Sequence, residues 1–206
     1  TQECNEALKM LKGNREERIQ GLRIFCEYRD SRSFPLLLPL LDQPCPVERM
    51  SVVYALGRNP CPSAVEKLVS LLETDDNAYV RRATAWSLAN YDNQIVLEPL
   101  IKALKNDVAA VRLWSSSSLA EIGNVSLKNA QLAAEQLLIS LKIDNEPGVR
   151  SNCIWSLCRL YEKLNNTFQE SFVDECTKIA LFDKEPSVME EAKTALDSMG
   201  MQGFYN

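Results

Sequence analysis

The chain has no histidine anywhere in its 206 residues. That absence removes the commonest general base and most metal-ligand sets. No stretch approaches the roughly 18 consecutive apolar residues of a membrane-spanning helix, so no membrane partner is expected. Basic residues are in the minority, 23 Lys and Arg against 28 Asp and Glu, for a net charge of −5. A nucleic-acid binder needs a basic stripe to displace counterions from phosphates, so no nucleic-acid partner is expected either. The seven cysteines are odd in number and contain no CxxC pair. Cys153 and Cys158, five apart on one helix, turn away from each other. No metal site is therefore expected, and the thiols read as those of a reduced, cytoplasmic protein.

What the chain does have is a period. Val80-Arg81, Val111-Arg112 and Val149-Arg150 each open a stretch that ends in Ser-Leu or Ala-Leu. Weaker copies start at Glu48-Arg49 and Val188-Met189, and a fainter one at Arg18. The intervals between these positions are 31, 32, 31, 38 and 39 residues. A fixed period of this size marks stacked repeats. Within one copy, Ala64–Glu73 places Val65, Leu68, Val69, Leu71 and Leu72 on a wide apolar helical face. Thr74-Asp75-Asp76-Asn77 then supplies capping residues, and Val80–Asn90 follows as a second helix. First helices are expected over Glu3–Leu11, Phe34–Leu41, Ala64–Glu73, Val96–Lys105, Ala130–Ile143 and Phe168–Phe182. Second helices are expected over Glu16–Tyr28, Val47–Gly57, Val80–Asn90, Ala110–Ile122, Val149–Tyr161 and Val188–Met199. Pro35, Pro39 and Pro99 are tolerable near a helix start or at a bend. The longer intervals are expected as loop insertions at Asn124–Asn129 and Lys163–Thr167. The predicted class is all-α: an α-α superhelix of about five to six helical hairpins in a single domain over residues 1–206.

The recurring arginines Arg49, Arg81, Arg112 and Arg150 keep register with turn aspartates Asp42, Asp75, Asp107, Asp144 and Asp183. They are expected to pair as a ladder along the stack, ending at Met189. Counted from the Val of each second helix, positions one, five, six, eight, nine and twelve share a face of small or apolar residues. The run Ser115–Ser118 supplies three of these in its repeat, as packing spacers. Position seven, on the opposite and concave side, is Tyr54, Trp86 and Trp155; Trp114 sits at position four of the helix between. Arg82 lies one turn from Trp86, where stacking on the indole is expected. Arg58 and Arg159 both occupy position eleven, with Asn59, Asn90 and Asn152 close by. These residues either form an aromatic and cationic groove or pack their rings against neighbouring second helices. Three tryptophans on one face favour the groove.

Helix pairs with an Asp-containing turn and a Val-Arg start resemble HEAT repeats. More narrowly, Ala55-Leu56-Gly57-Arg58-Asn59-Pro60, Arg81–Leu88 and Val108–Trp114 resemble the cyanobacterial and plastid phycobilisome-lyase HEAT-like family. They are nearest the subgroup that partners an A-type iron–sulfur scaffold. The resemblance implies a cyanobacterial cytosol or plastid stroma. It also implies a protein partner: a phycobiliprotein, a lyase subunit or an iron–sulfur scaffold. HEAT-like deoxyhypusine hydroxylases hold iron through His-Glu pairs, which this chain lacks. HEAT-like DNA glycosylases work beside a basic groove, which it also lacks. The expected function is a non-catalytic interaction scaffold or chaperone-like adaptor with no cofactor. Its binding groove would comprise Tyr54, Arg58, Arg82, Trp86, Asn90, Trp114, Asn152, Trp155 and Arg159. The alternative is a subunit of a bilin lyase or bilin chaperone. In that reading the aromatic residues hold a phycobilin, Arg58, Arg82 and Arg159 hold its propionates, and the acceptor thiol belongs to the client.

Overall fold

Capping decides where helices begin in this chain. In the computed structural model, which describes residues 2–201 and 203, the Asn14 side chain accepts the Glu17 N–H at 3.1 Å, and Glu17 accepts the Asn14 N–H at 2.7 Å. That is a reciprocal capping box. Asn77 accepts from Tyr79 at 2.9 Å, Ser126 from Asn129 at 3.1 Å and Asn165 from Phe168 at 2.9 Å. The described residues hold twelve α-helices, short 3-10 segments and no strand. They alternate as hairpins. α1 (Gln2–Met10) precedes α2 (Arg15–Glu27), α3 (Phe34–Leu37) precedes α4 (Pro46–Arg58), and α5 (Val65–Thr74) precedes α6 (Ala78–Leu88). Then α7 (Leu97–Asn106) precedes α8 (Ala109–Gly123), α9 (Leu127–Ile143) precedes α10 (Pro147–Leu160), and α11 (Asn166–Phe182) precedes α12 (Pro186–Ser198). Every second helix lies within two residues of its expected bounds.

Two expectations about the first helices need correction. Phe34–Leu41 is not one helix: α3 stops at Leu37, and Leu38–Asp42 continues as a 3-10 helix. Pro39 has no N–H to bond back one α-turn, so the chain tightens there. The extra length of the later repeats is also not loop. α9 and α11 have 17 residues each, where α5 and α7 have 10. The insertions are added helical turns that start at the caps Ser126 and Asn165.

The chain divides into two compact units, Thr1–Pro99 and Leu100–Asn206. In the first, α2, α4 and α6 pack in succession, while α1 and α5 cover α2 and α6. Its core closes around Leu22, Phe25, Leu56, Leu68 and Leu88. In the second, α8, α10 and α12 pack in succession, α9 lies against α8 and α10, and α11 lies against α12. Leu119, Leu137, Leu157 and Phe172 fill that core. Small residues allow the close approach, as expected. Ser115, Ser116, Ser118 and Ser156 are buried, and the Ser156 hydroxyl donates to the Ser116 carbonyl at 2.8 Å.

The arginine ladder is present inside each unit. Arg49 donates to both Asp75 oxygens at 2.8 and 3.0 Å, Arg112 to both Asp144 oxygens at 2.7 and 2.8 Å, and Arg150 to both Asp183 oxygens at 3.1 and 2.7 Å. Each arginine also donates backward into its own hairpin, to the carbonyl of Gln43, Asp107 or Asp144. Asp75, Asp144 and Asp183 serve in turn as the C-caps of their helices. Each accepts the N–H two residues on, from Asn77, Glu146 and Glu185. One carboxylate thus ends a helix, shapes a turn and fixes the preceding repeat. Asp42 does not join the ladder; it pairs with Lys67 at the surface. The register is the cause. Gln43, not Asp42, is the residue that accepts from Arg49 at the turn, and Glu48 supplies the carboxylate for Arg18 instead. Burial works against the charged forms of Asp144 and Asp183. The arginine hydrogen bonds and the backbone N–H groups outweigh it and hold both carboxyls below the usual carboxylate range.

Candidate partner-binding face

Eight of the nine residues expected in the groove lie on second helices and Asn90 just beyond one, and the structure sorts them into two kinds. In the first unit the aromatic residues have turned to each other. The Tyr54 and Trp86 ring centroids are 5.4 Å apart at an interplanar angle of 55°, a tilted pair. Trp86 also packs closely against α4 at Gly57, where a Cβ would come to 2.5 Å from the indole Cζ3. Glycine is required there by close approach. Trp86 is therefore half-buried packing between α4 and α6 and not a free platform.

Arg82 does not stack on Trp86. Its guanidinium carbon is 5.4 Å from the Tyr79 ring centroid, and Nη2 donates to the Tyr54 hydroxyl at 3.4 Å. Trp86 has turned to Gly57, so the arginine takes the exposed ring on its other side. Arg82 Nε is buried without a hydrogen-bond partner among the described residues. Arg58 is exposed, with Nε donating to the Glu27 carbonyl at 3.1 Å. Asn90 lies beyond the end of α6 and donates weakly to the Ser87 carbonyl at 3.4 Å. Asn59 is no groove residue. It is buried, donates to the carbonyls of Phe25, Tyr28 and Ala55, and accepts the Asp30 N–H, clamping α4 to the end of α2.

The second unit presents open chemistry. Trp114 on α8 and Trp155 on α10 are 36% and 41% exposed, which is high for indoles. The Arg159 guanidinium carbon lies 4.9 Å from the Trp155 ring centroid, within cation–π range. Its Nη2 donates to Glu121 on α8 at 2.7 Å. Asn152 faces inward with its amide, donating to the Leu113 carbonyl at 3.1 Å and to Ser117 Oγ at 2.6 Å. Beside Trp155 opens a cavity of about 310 Å³ lined by Ser117, Ser151, Asn152, Trp155 and Glu191. The cysteines add no nucleophile to this face. Burial raises the Cys153 thiol and pushes Cys158 up to about 11, so neither is a ready thiolate.

Two features escape the sequence reading. Cys45 is the N-cap of α4, and Arg15 Nη2 donates to its sulfur at 2.9 Å. The backbone N–H of Glu48, then that of Val47 and the Arg15 charge, hold its thiol below the ordinary value against the cost of partial burial. The signal was the Cys-Pro pair at a helix start. The second feature is an apolar rim: Ile143 and Phe182, 72% and 78% exposed, flank a cavity of about 500 Å³ in the second unit. Each directly precedes a ladder aspartate, where the earlier copies have polar Thr74 and Asn106.

The sequence profile of HEAT repeats matches residues 5–89 and 65–158. The chain belongs to the HEAT-repeat family. Its fold is that of designed repeat solenoids. An engineered protein of known structure matches at a TM-score of 0.68 and 20% identity, covering 94% of this chain and 98% of that one. A designed armadillo repeat protein matches at 0.63 and 18%, covering 97% and 98%. Another, solved in complex with the peptide (KR)4, matches at 0.65 and 17% over 100% of both chains. At these identities the likeness is one of fold alone. No curated protein matches the chain. Among its described residues, no helix of this HEAT-repeat protein is long and apolar enough to cross a membrane.

Proposed function

We propose that this HEAT-repeat protein is a non-catalytic interaction scaffold or chaperone-like adaptor. It holds a segment of another protein on the face of its second helices. One observation carries the reading: two tryptophans are substantially exposed on that face, and Trp155 lies under the Arg159 guanidinium and lines a cavity. Exposed indoles rimmed by polar groups are the usual mark of an interaction site, and Trp and Arg dominate binding hot spots. The peptide complex of a designed armadillo protein of the same fold supports the same use of the scaffold. The test is a quantitative pull-down from native extract with the Trp114→Ala/Trp155→Ala double variant. Both side chains are substantially exposed, so the variant keeps its helical circular dichroism while the partner is lost. Undiminished recovery sinks the proposal.

The finer partners come from the family resemblance: a phycobiliprotein, a lyase subunit or an A-type iron–sulfur scaffold, in a cyanobacterial cytosol or plastid stroma. A bilin is a second candidate for the same face, favoured by the cation stacked on an exposed indole at Arg159 and Trp155. Mixing the protein with phycocyanobilin at micromolar concentration separates the two. A red-shifted absorption band with induced dichroism supports pigment binding, and its absence leaves the protein partner alone.

A further inference from the structure

The cavity beside Trp155 offers acceptors and contains no cation of its own. Asn152 commits its amide hydrogens to Leu113 and Ser117, so what it offers outward is a carbonyl oxygen. The Ser117 hydroxyl donates to the Leu113 carbonyl at 3.4 Å. Glu191 is the single acidic side chain in the lining, and no lysine or arginine joins it. Its carboxylate has no hydrogen bond or ion pair among the described residues. Arg159, whose guanidinium carbon lies 4.9 Å from the Trp155 ring centroid, pairs with Glu121 and lies outside the lining. A negative charge, an aromatic ring and spare acceptors around about 310 Å³ define what fits.

We propose that this cavity receives a lysine or arginine side chain of the bound partner segment. Trp155 is the platform and Glu191 the counter-charge. The proposal rests on the reading of the second-helix face as a protein-binding surface and adds the chemical class of the partner. A cation gains from the indole ring within about 6 Å, and its N–H groups find the Glu191 carboxylate and the Asn152 oxygen as acceptors. An apolar side chain would bury Glu191 unpaired, and an acidic one would oppose it; both are rejected.

Calorimetry on the full chain at physiological salt tests this with two octapeptides, (KR)4 and the acidic (SE)4. The expected result is binding of (KR)4 and none of (SE)4. Glu191→Gln should weaken (KR)4 roughly tenfold, the loss of one charge-assisted hydrogen bond. Glu190→Gln is the control, since Glu190 is adjacent on α12 but already paired with Lys193 at 2.8 Å; it should change affinity less than twofold. Absence of (KR)4 binding, or equal weakening by the two variants, overturns the proposal, because general attraction to an acidic chain would not distinguish them. The pull-down separates this from the broader reading. A partner lost with Trp114→Ala/Trp155→Ala but kept at full strength by Glu191→Gln retains the binding face and removes the cationic pocket. A partner kept by both removes both.

Discussion

Gly57 shows how one residue decides whether a tryptophan is core or surface. Because it has no Cβ, the Trp86 indole can lie on α4 and pair with Tyr54. Gly57→Ala should force the ring outward and destabilise the protein by about 1–3 kcal/mol, the usual cost of overpacking. Urea unfolding followed by tryptophan fluorescence measures it, and a second change, Trp86→Phe, should recover part of the loss. Cys45 makes the second residue-scale prediction. Its thiol is lowered by the α4 N-terminus and Arg15, whereas burial pushes Cys26 and Cys158 up to about 11 and raises Cys153 and Cys176 further. A brief iodoacetamide pulse at neutral pH should label Cys45 ahead of those four, read by peptide mapping. Slower labelling of Cys45 than of Cys26 would contradict the assignment.

At the scale of elements, the ladder holds successive hairpins in register. Arg150 and Asp183 are largely buried, with side chains 13% and 9% exposed. Arg150→Met, which copies the last repeat's Met189, leaves the Asp183 carboxylate without its cation. The expected loss is about 2–3 kcal/mol, between a surface pair and a fully buried one. Adding Asp183→Asn should restore part of it. A loss below about 0.5 kcal/mol would place the rung with ordinary surface pairs. The added turns of α9 and α11 depend on their caps, and Ser126→Ala or Asn165→Ala should each cost about 1 kcal/mol. Second helices were legible in sequence because Val-Arg or a near copy of it and the small-residue face recur at a regular spacing. The insertions were misread as loops because Ser126 and Asn165 carry capping chemistry that composition also assigns to turns. The exposed face was legible in part. Position seven marks both Trp155, which is exposed, and Trp86, and the count could not separate the two, because a neighbouring helix decides the environment of Trp86.

Across the whole molecule, the lowered carboxyls make stability depend on pH. Asp144 and Asp183 have folded values below those of the unfolded chain, about 3.9. A depressed value means a contribution fully present above the unfolded pKa and lost as pH falls through the folded one. Urea midpoints should therefore hold steady with respect to these groups from neutral pH down to about 5 and fall below about 4. The Arg112→Met/Arg150→Met variant should show a shallower fall, and an identical profile would exclude these pairs as its source.

The sequence by itself determined the repeat, the hairpin order, the arginine register and the absence of histidine chemistry. All of these follow from local periodicity and residue type, which a linear reading contains. Only the tertiary structure decided which aromatic residues remain in water. Trp86 and Trp155 occupy the same position in two different copies of the repeat. One faces a glycine and a tyrosine across a tight helix contact; the other faces an open cavity with an unpaired glutamate. Solvent exposure is a property of what a neighbouring element leaves uncovered, and the count along a helix does not contain it.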